Sequence, residues 1–117
     1  MHIAQFVITV RDYDEAIRFY TDTLGFELLE DTPRGEGKRW VRVRPPGANG
    51  RGCDILLARA ANERQVSSVG NQTGGRVFVF LHTEDFESTY QRLRSKGVKF
   101  LEEPRSEDYG RVVVFED

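Results

Sequence analysis

Hydrophobic and polar positions follow two different periods along the first thirty residues. In QFVITV (residues 5–10), every second residue from Phe6 onward is apolar. This period of two predicts a strand with one face against helices and the other toward a less apolar space. Asp12 then stands three residues before Glu15, a capping-box spacing that predicts a helix start. The helix is expected to end at Gly25, since glycine adopts the left-handed conformation that terminates helices.

The rest of the first half reads as further strands and turns. Strands are predicted at 26–30, 40–44 and 54–59, separated by a turn at 31–38 and a loop at 45–52. Val41 and Val43 share one face of the strand at 40–44. Trp40, Arg42 and Arg44 share the opposite face. One face of this strand is therefore predicted to enter the core, and the other carries an aromatic ring and two cations.

The same pattern returns about seventy residues later. Residues 78–101, FVFLHTEDFESTYQRLRSKGVKFL, repeat the order of strand, acidic helix start, helix and glycine that residues 5–28 show. The repeat predicts strands at 77–82, 98–102 and 111–116 and a helix at 84–95, with a polar turn through Tyr109. A single domain is predicted with module one at about 1–60, a connection at about 61–75 and module two at about 76–117. Each module needs the other, because one such unit leaves an apolar face uncovered.

The second module is one strand short of the first. The counterpart of the strand at 54–59 would lie beyond Asp117. Either the sequence is truncated or a partner chain supplies the strand. An unfilled gap would leave open N–H and C=O groups at a strand edge.

Composition narrows the class of partner. The 117 residues carry a net charge of −2, and the basic residues are scattered. This excludes a basic surface for nucleic acid, and no apolar run is long enough to span a membrane. A single cysteine, Cys53, forms no internal disulfide, which suits a reducing cytoplasm. The start lacks the pattern of a secretory signal, so a cytoplasmic location is predicted.

A family resemblance rests on short segments spread over nearly the whole chain. They are Val10-Arg11-Asp12, Phe19-Tyr20, Leu24-Gly25-Phe26 and Tyr109-Gly110-Arg111. With these segments the chain resembles the vicinal oxygen chelate superfamily, which contains glyoxalase I, extradiol dioxygenases, fosfomycin-resistance enzymes and bleomycin-resistance proteins. The resemblance implies an α+β fold in which tandem βαβββ modules form a curled mixed sheet with the site inside it. It also implies a homodimer, and here the last strand is missing.

The resemblance also implies where a divalent metal would bind. The family's ligand positions fall at Gln5, at Phe78 and at Leu56, or at Asp54 if the register shifts by two, and the last lies beyond Asp117. Phenylalanine has no ligating atom, so at most Gln5 and Asp54 remain, fewer than the three protein ligands of a stable site. Both residues also have simpler interpretations. Gln5 can be a polar strand residue in a water-filled pocket, and Asp54 can be a solvated residue at the start of a strand. No cofactor is therefore expected. Zinc, nickel, manganese or iron would be bound only under the alternative that the protein is a metal enzyme.

An aromatic group is the stronger sign of a binding site. Trp40, Phe78 and Phe80 share the face assigned to the cavity, and Arg42 is suited to a ligand's carboxylate or phosphate. The predicted ligand-binding set is Gln5, Val7, Trp40, Arg42, Asp54, Phe78 and Phe80. The open alternative is that Phe78 and Phe80 fill the space of a lost metal and close it into a core. His82 fits either the rim of the site or a helix start, and no catalytic residue is predicted.

Three functions follow from these features. The first is a protein that binds a small aromatic or hydrophobic molecule without the usual metal centre, as sequestration or resistance proteins do. The second is a metal-dependent glyoxalase-like lyase or isomerase, or a dioxygenase, in which the metal acts as a Lewis acid. The third is an interaction domain with no pocket. Phe78 favours the first function over the second.

Overall fold

A computed structural model describes residues 1–117, which divide into two compact units, Met1–Phe78 and Val79–Asp117. The first unit has the order β1 (Gln5–Val10), α1 (Tyr13–Arg18), a π-helical segment (Phe19–Thr23), β2 (Glu27–Gly35), β3 (Lys38–Arg44), β4 (Asp54–Arg59) and α2 (Glu63–Val66). Its four strands form one sheet in the order β1-β4-β3-β2. β1 and β4 are parallel, and the other pairs are antiparallel.

The core of the first unit lies on one face of this sheet. Its fully buried side chains are Ile8, Val41, Val43, Ile55 and Leu57. These are the apolar positions of the period-two pattern, so the predicted faces of β1 and β3 are confirmed. α1 packs on β3 and β4 and contributes the buried side chains of Tyr13 and Ala16.

The first helix begins as predicted and changes geometry half-way. Asp12 is its N-cap, and the Asp12 carboxylate accepts a hydrogen bond from the Glu15 backbone N–H at 2.8 Å. From Phe19 to Thr23 the helix widens into a π-helical segment, which the sequence pattern did not indicate. Gly25 follows with a φ of 82°, in the left-handed region where glycine is favoured. The helical stretch therefore ends where the glycine predicted.

β2 is longer than predicted, and the prediction of a turn over residues 31–38 is wrong. The strand continues through Pro33 to Gly35, and only Glu36 and Gly37 form the turn, with φ values of 54° and 75°. Two central residues with positive φ make the tight hairpin turn that matches the twist of paired strands. Pro33 is tolerated because β2 is an edge strand, where a missing N–H breaks no ladder.

The connection after β4 returns to the sheet. Asn62 caps the short helix α2, and the chain then runs to Gln72. The Gln72 side-chain amide bonds to the Thr9 backbone twice, accepting from its N–H at 3.1 Å and donating to its carbonyl at 2.7 Å. This pair of bonds satisfies one position of the free edge of β1, as a neighbouring strand would.

The second unit contains α3 (Phe86–Ser95), β5 (Arg105–Glu107) and β6 (Gly110–Val112). Asp85 is the N-cap of α3 and accepts from the Ser88 backbone N–H at 3.0 Å, so the predicted helix is confirmed with a slightly later start. Tyr90, Leu93 and Val98 are buried in this unit. Phe100 packs edge-on against Tyr90 and Phe115.

Two predicted strands of module two are wrong, and a third is shorter than predicted. Residues 77–82 form no strand, and residues 98–102 form only a single bridge, between Phe100 and Phe115. The strand predicted at 111–116 is confirmed only at its start, because β6 ends at Val112. The polar turn before Tyr109 instead contains β5, which pairs with β6. Alternating apolar residues show which faces a strand would have, but a strand forms only where a hydrogen-bonding neighbour is present.

None of the helices has both the length and the apolar character that crossing a membrane requires.

Candidate functional site

The face of the first sheet that does not carry the core brings most of the predicted site residues together. Gln5 lies opposite Asp54 and Val7 lies opposite Leu56, on the paired strands β1 and β4. Leu56 in turn lies opposite Arg42 on β3. Trp40 is two residues from Arg42 and shares its face. We call this surface, with Glu30 and Thr32 of β2, the open face.

A network of ion pairs occupies one part of the open face. Asp54, only 8% exposed, accepts hydrogen bonds from Arg42 Nη1 at 2.7 Å and from Arg44 Nε at 2.9 Å, one on each carboxylate oxygen. Arg42 Nε donates to the Glu30 carboxylate at 3.0 Å. Two guanidinium groups thus balance the buried charge of Asp54, and both of its oxygens are engaged.

Glu30 extends this network to the sheet edge. The Thr32 hydroxyl donates to Glu30 Oε2 at 2.9 Å, and Arg34 Nη2 lies 3.8 Å from the same oxygen. The hydrogen bond from Thr32, followed by that from Arg42, lowers the pKa of the Glu30 carboxyl below its ordinary value. Glu30 is therefore held in its charged form, and Arg42 is fixed between two carboxylates.

The remaining part of the open face is apolar. Val7 is 55% exposed although it stands in the middle of β1, and Leu56 lies beside it. Trp40, the only tryptophan of the chain, is half-buried, and the Arg34 guanidinium stacks over its ring at 5.9 Å from the centroid. An apolar surface next to a few fixed polar groups is typical of a site for a small organic molecule.

The other predicted residues lie outside the four strands of the first sheet. Phe78 is half-buried at the last position of the first unit. Phe80 belongs to the second unit and is 78% exposed. His82 is also exposed and lies outside any strand, and Cys53, beside Asp54, is half-buried with a free thiol.

The donor groups on the open face do not fit a divalent metal. No three His, Cys, Asp or Glu side chains lie together as a ligand set. Asp54 has both oxygens bonded to guanidinium groups, whose positive charge opposes a cation at the same place. Gln5 alone offers one neutral amide oxygen, which is a weak ligand.

Sequence reasoning missed four members of the network, Glu30, Thr32, Arg34 and Arg44. The signal for Arg44 was present, because it shares the face of Trp40 and Arg42 within one strand. Glu30 and Thr32 carried no such signal, since β2 was predicted to end at residue 30. Only the register of β2 on β3 places Glu30 opposite Arg42 and Thr32 opposite Trp40.

A cavity of about 450 Å³ lies in the second unit, and none of the predicted site residues lines it. Its lining residues are Tyr90, Arg94, Val98, Phe100, Leu101, Glu102 and Glu103. The Arg94 guanidinium stacks over the Tyr90 ring at 5.7 Å from the centroid. The charged groups at this cavity form no arrangement that points to a particular ligand.

Comparison with known families supports the fold seen here. A family model described as Glyoxalase/Bleomycin resistance protein/Dioxygenase superfamily matches residues 2–117. The chain belongs to this superfamily. An uncharacterized protein of Shewanella frigidimarina is 52% identical over 100% of this chain and 84% of its own length. A probable lactoylglutathione lyase of Synechocystis is 28% identical over 97% of this chain and 84% of its own length.

Solved structures of the superfamily match nearly the whole chain. UcmS2 is 31% identical with a TM-score of 0.82, covering 100% of this chain and 91% of its own. TnmS3, an antibiotic binding protein from Streptomyces sp. CB03234, is 30% identical with a TM-score of 0.77, covering 98% of this chain and 85% of its own. The predicted α+β fold of the glyoxalase/bleomycin-resistance type is confirmed.

Proposed function

We propose that this member of the superfamily binds a small, aromatic or hydrophobic molecule on the open face and does so without the usual divalent metal. The observation that carries the proposal is the pairing of Asp54 with both Arg42 and Arg44 beside the apolar surface of Trp40 and Val7. A carboxylate that is hydrogen-bonded to guanidinium groups on both oxygens holds those groups in place and has no oxygen left for a cation.

The comparisons support the same proposal. The similarity to TnmS3, described as an antibiotic binding protein, supports a binding function. Phe78 supports the lack of a metal, because it stands at a position where the resemblance implies a ligand and has no donor atom. Trp40 and Val7 on the open face offer a ring and methyl groups against which a flat ligand is expected to pack.

Trp40 makes the proposal directly testable, because as the only tryptophan it reports on the open face alone. We expect flat aromatic compounds from a panel of polycyclic antibiotics to quench its fluorescence and to raise the melting temperature, as linkage requires. Trp40→Phe should keep the thermal shift and lose the optical signal. Val7→Asp, which places a charge on the apolar surface, should weaken both.

Elemental analysis of the purified protein tests the metal. We expect no stoichiometric metal and no increase in melting temperature on addition of Zn²⁺, Ni²⁺, Mn²⁺ or Fe²⁺. A bound metal at one equivalent would contradict the proposal and support the second candidate.

The second candidate is a glyoxalase-like lyase or isomerase, or a dioxygenase. The similarity to a probable lactoylglutathione lyase favours it. It requires a metal held by Gln5 and Asp54 with further ligands, and Asp54 would first have to leave its two arginines. An assay of the metal-loaded protein for lactoylglutathione formation tests this candidate. Activity in that assay would support the enzyme over the binding protein.

We further propose that the protein is a cytoplasmic homodimer. The single cysteine supports the location, because it suits a reducing compartment. The support for the dimer is the segment at 77–82, which forms no strand yet exposes the apolar side chains of Val77, Phe80 and Leu81. Exposed apolar side chains on a segment with open backbone groups favour pairing with another chain. Light scattering after size-exclusion chromatography should give the mass of two chains, and Phe80→Lys should shift it toward one.

A further inference from the structure

The two arginines that bond to Asp54 differ in which of their guanidinium nitrogens form hydrogen bonds. Arg42 is bonded through Nε to Glu30 and through Nη1 to Asp54, so two of its three nitrogens are engaged. Arg44 is bonded to Asp54 through Nε, the nitrogen nearest its own aliphatic stem. The two terminal nitrogens of Arg44 therefore lie beyond that bond and form a fork that Asp54 does not occupy.

The Arg44 fork is fixed in place and reachable from solvent. Its anchor is the buried carboxylate of Asp54, and the side chain of Arg44 remains 32% exposed. Glu27 stands opposite Arg44 in the register of β2 and β3, yet it forms no ion pair with Arg44 within 4.0 Å. A guanidinium fork of this kind matches a planar carboxylate in a bidentate manner.

The distance from the fork to the aromatic ring defines the ligand further. Trp40 and Arg44 lie four residues apart on the same face of β3, which is about 13 Å along an extended strand. The space between them is lined by Arg42 and, on the neighbouring strand, Leu56. A ligand that contacts both ends must carry its anionic group well away from its ring system.

We propose that the ligand of the open face is an aromatic carboxylate, with its anionic group bound by Arg44 and its ring against Trp40. Asp54 is a positioning residue, because both of its oxygens are bonded to guanidinium groups and it acts on the ligand through Arg44. Gln5 lies opposite Asp54 on β1 and offers a half-buried amide as a further donor on the same face. This inference rests on the proposed binding function and adds the chemical class of the ligand.

The test uses matched probes in place of an unknown ligand. Three acids that carry the carboxylate on a flexible chain beyond the ring system, 4-(naphthalen-2-yl)butanoate, 4-(anthracen-9-yl)butanoate and 4-(pyren-1-yl)butanoate, are each titrated beside the corresponding primary amide while Trp40 fluorescence is followed. We expect the best acid to bind at least tenfold more tightly than its amide at low salt, because one charge-assisted bidentate pair is worth about that factor. The difference should decrease as salt is added.

Variants of Arg44 distinguish the binding role of its guanidinium group from any effect on folding. Arg44→Gln should remove the acid preference and leave the affinity for the amide within about twofold, because the apolar contacts remain. Arg44→Lys keeps the charge without the fork and should retain only part of the preference. Arg18→Gln, on the exposed side of α1 across the sheet, is the matched control and should bind like the wild type. Circular dichroism and melting of each variant confirm that it is folded.

The outcomes distinguish this inference from the proposed function. Acid and amide binding with equal affinity would overturn the carboxylate class and leave the binding function standing. Acid preference that survives in folded Arg44→Gln would overturn the role of Arg44. Failure of all six probes to quench Trp40 would contradict both.

Discussion

Asp54 is a buried carboxylate whose charge is balanced by two guanidinium groups. Its burial at the start of β4 removes water from the charge, which is unfavourable unless hydrogen bonds replace it. Arg42 and Arg44 supply those bonds at 2.7 and 2.9 Å. Arg42 also donates a hydrogen bond to Glu30, so Asp54 and Glu30 are linked through one guanidinium group. At this scale the open face is held by charge pairs rather than by packing.

Asp54→Asn is expected to reduce the free energy of unfolding by about 1–3 kcal/mol, because two half-buried guanidinium groups lose a charged acceptor. Urea denaturation at neutral pH measures the change. Asp14→Asn is the matched control, since Asp14 is 70% exposed and its pair with Arg39 is expected to contribute less than about 1 kcal/mol. Equal effects of the two variants would contradict the assigned role of Asp54.

Asp31 provides a pH-dependent contribution on the other side of the sheet. The Arg39 guanidinium donates to both Asp31 oxygens, at 3.0 and 2.7 Å, and these bonds lower the pKa of the Asp31 carboxyl. Its stabilisation is therefore complete above the unfolded-state pKa of about 3.9 and is lost as the pH falls through the lower folded-state value.

Comparison of urea midpoints tests the contribution of Asp31. The wild type should be more stable than Asp31→Asn at about pH 6, and the difference should decrease steadily as the pH falls below about 3.9, the ordinary pKa of an aspartate. A difference that is independent of pH over this range would show that the variant acts by another route than the lost charge.

At the scale of elements, α1 is fixed to the sheet by its first turn. Tyr13 is buried, and its hydroxyl accepts a hydrogen bond from the Arg39 backbone N–H at 3.1 Å. The guanidinium groups of Arg39 and Arg59 lie over its ring at 5.1 and 5.3 Å from the centroid. The N-cap Asp12 immediately precedes this anchor, so a loss of the cap is expected to loosen the contact between helix and strands.

Asp12→Ala should lower the free energy of unfolding by about 1 kcal/mol, the usual contribution of an N-cap. Asp12→Asn, which keeps the acceptor oxygen, should lie close to the wild type. Thermal melting followed by circular dichroism distinguishes them. A loss of the same size in both variants would show that the charge of Asp12, and not its hydrogen bond to Glu15, stabilises the helix start.

At the scale of the molecule, the deepest packing is concentrated in the first unit. All five fully buried side chains lie in β1, β3 and β4. The second unit buries a smaller group around Tyr90 and Leu93 and has only short paired strands. A segment of about 40 residues rarely folds alone without disulfides, metals or a partner, and this chain has one cysteine.

A fragment of residues 1–78 is therefore expected to retain its fold, whereas a peptide of residues 79–117 is expected to be unfolded alone. Cooperative urea unfolding of the fragment, followed by Trp40 fluorescence, would confirm the first expectation. A flat, non-cooperative titration of the fragment would contradict it. Circular dichroism of the peptide checks the second expectation.

The sequence allowed much of the first unit to be predicted because its signals are local. The alternation in β1 and β3, the cap at Asp12 and the glycine at 25 depend on neighbouring residues in the chain, and each predicted feature was confirmed. The same kind of signal failed at 77–82 and at the end of β2. An apolar pattern does not reveal a missing neighbour strand, and Pro33 does not reveal whether its strand lies at an edge.

The chain by itself determined its family, the faces of its central strands and the residues available to a binding site, since these follow from side-chain chemistry and spacing. Only the tertiary structure decided how those residues are used. The register of β2, β3 and β4 placed Asp54 between two guanidinium groups and Glu30 beside Arg42. Hydrogen bonds between strands far apart in sequence fix that register, so no local pattern contains it.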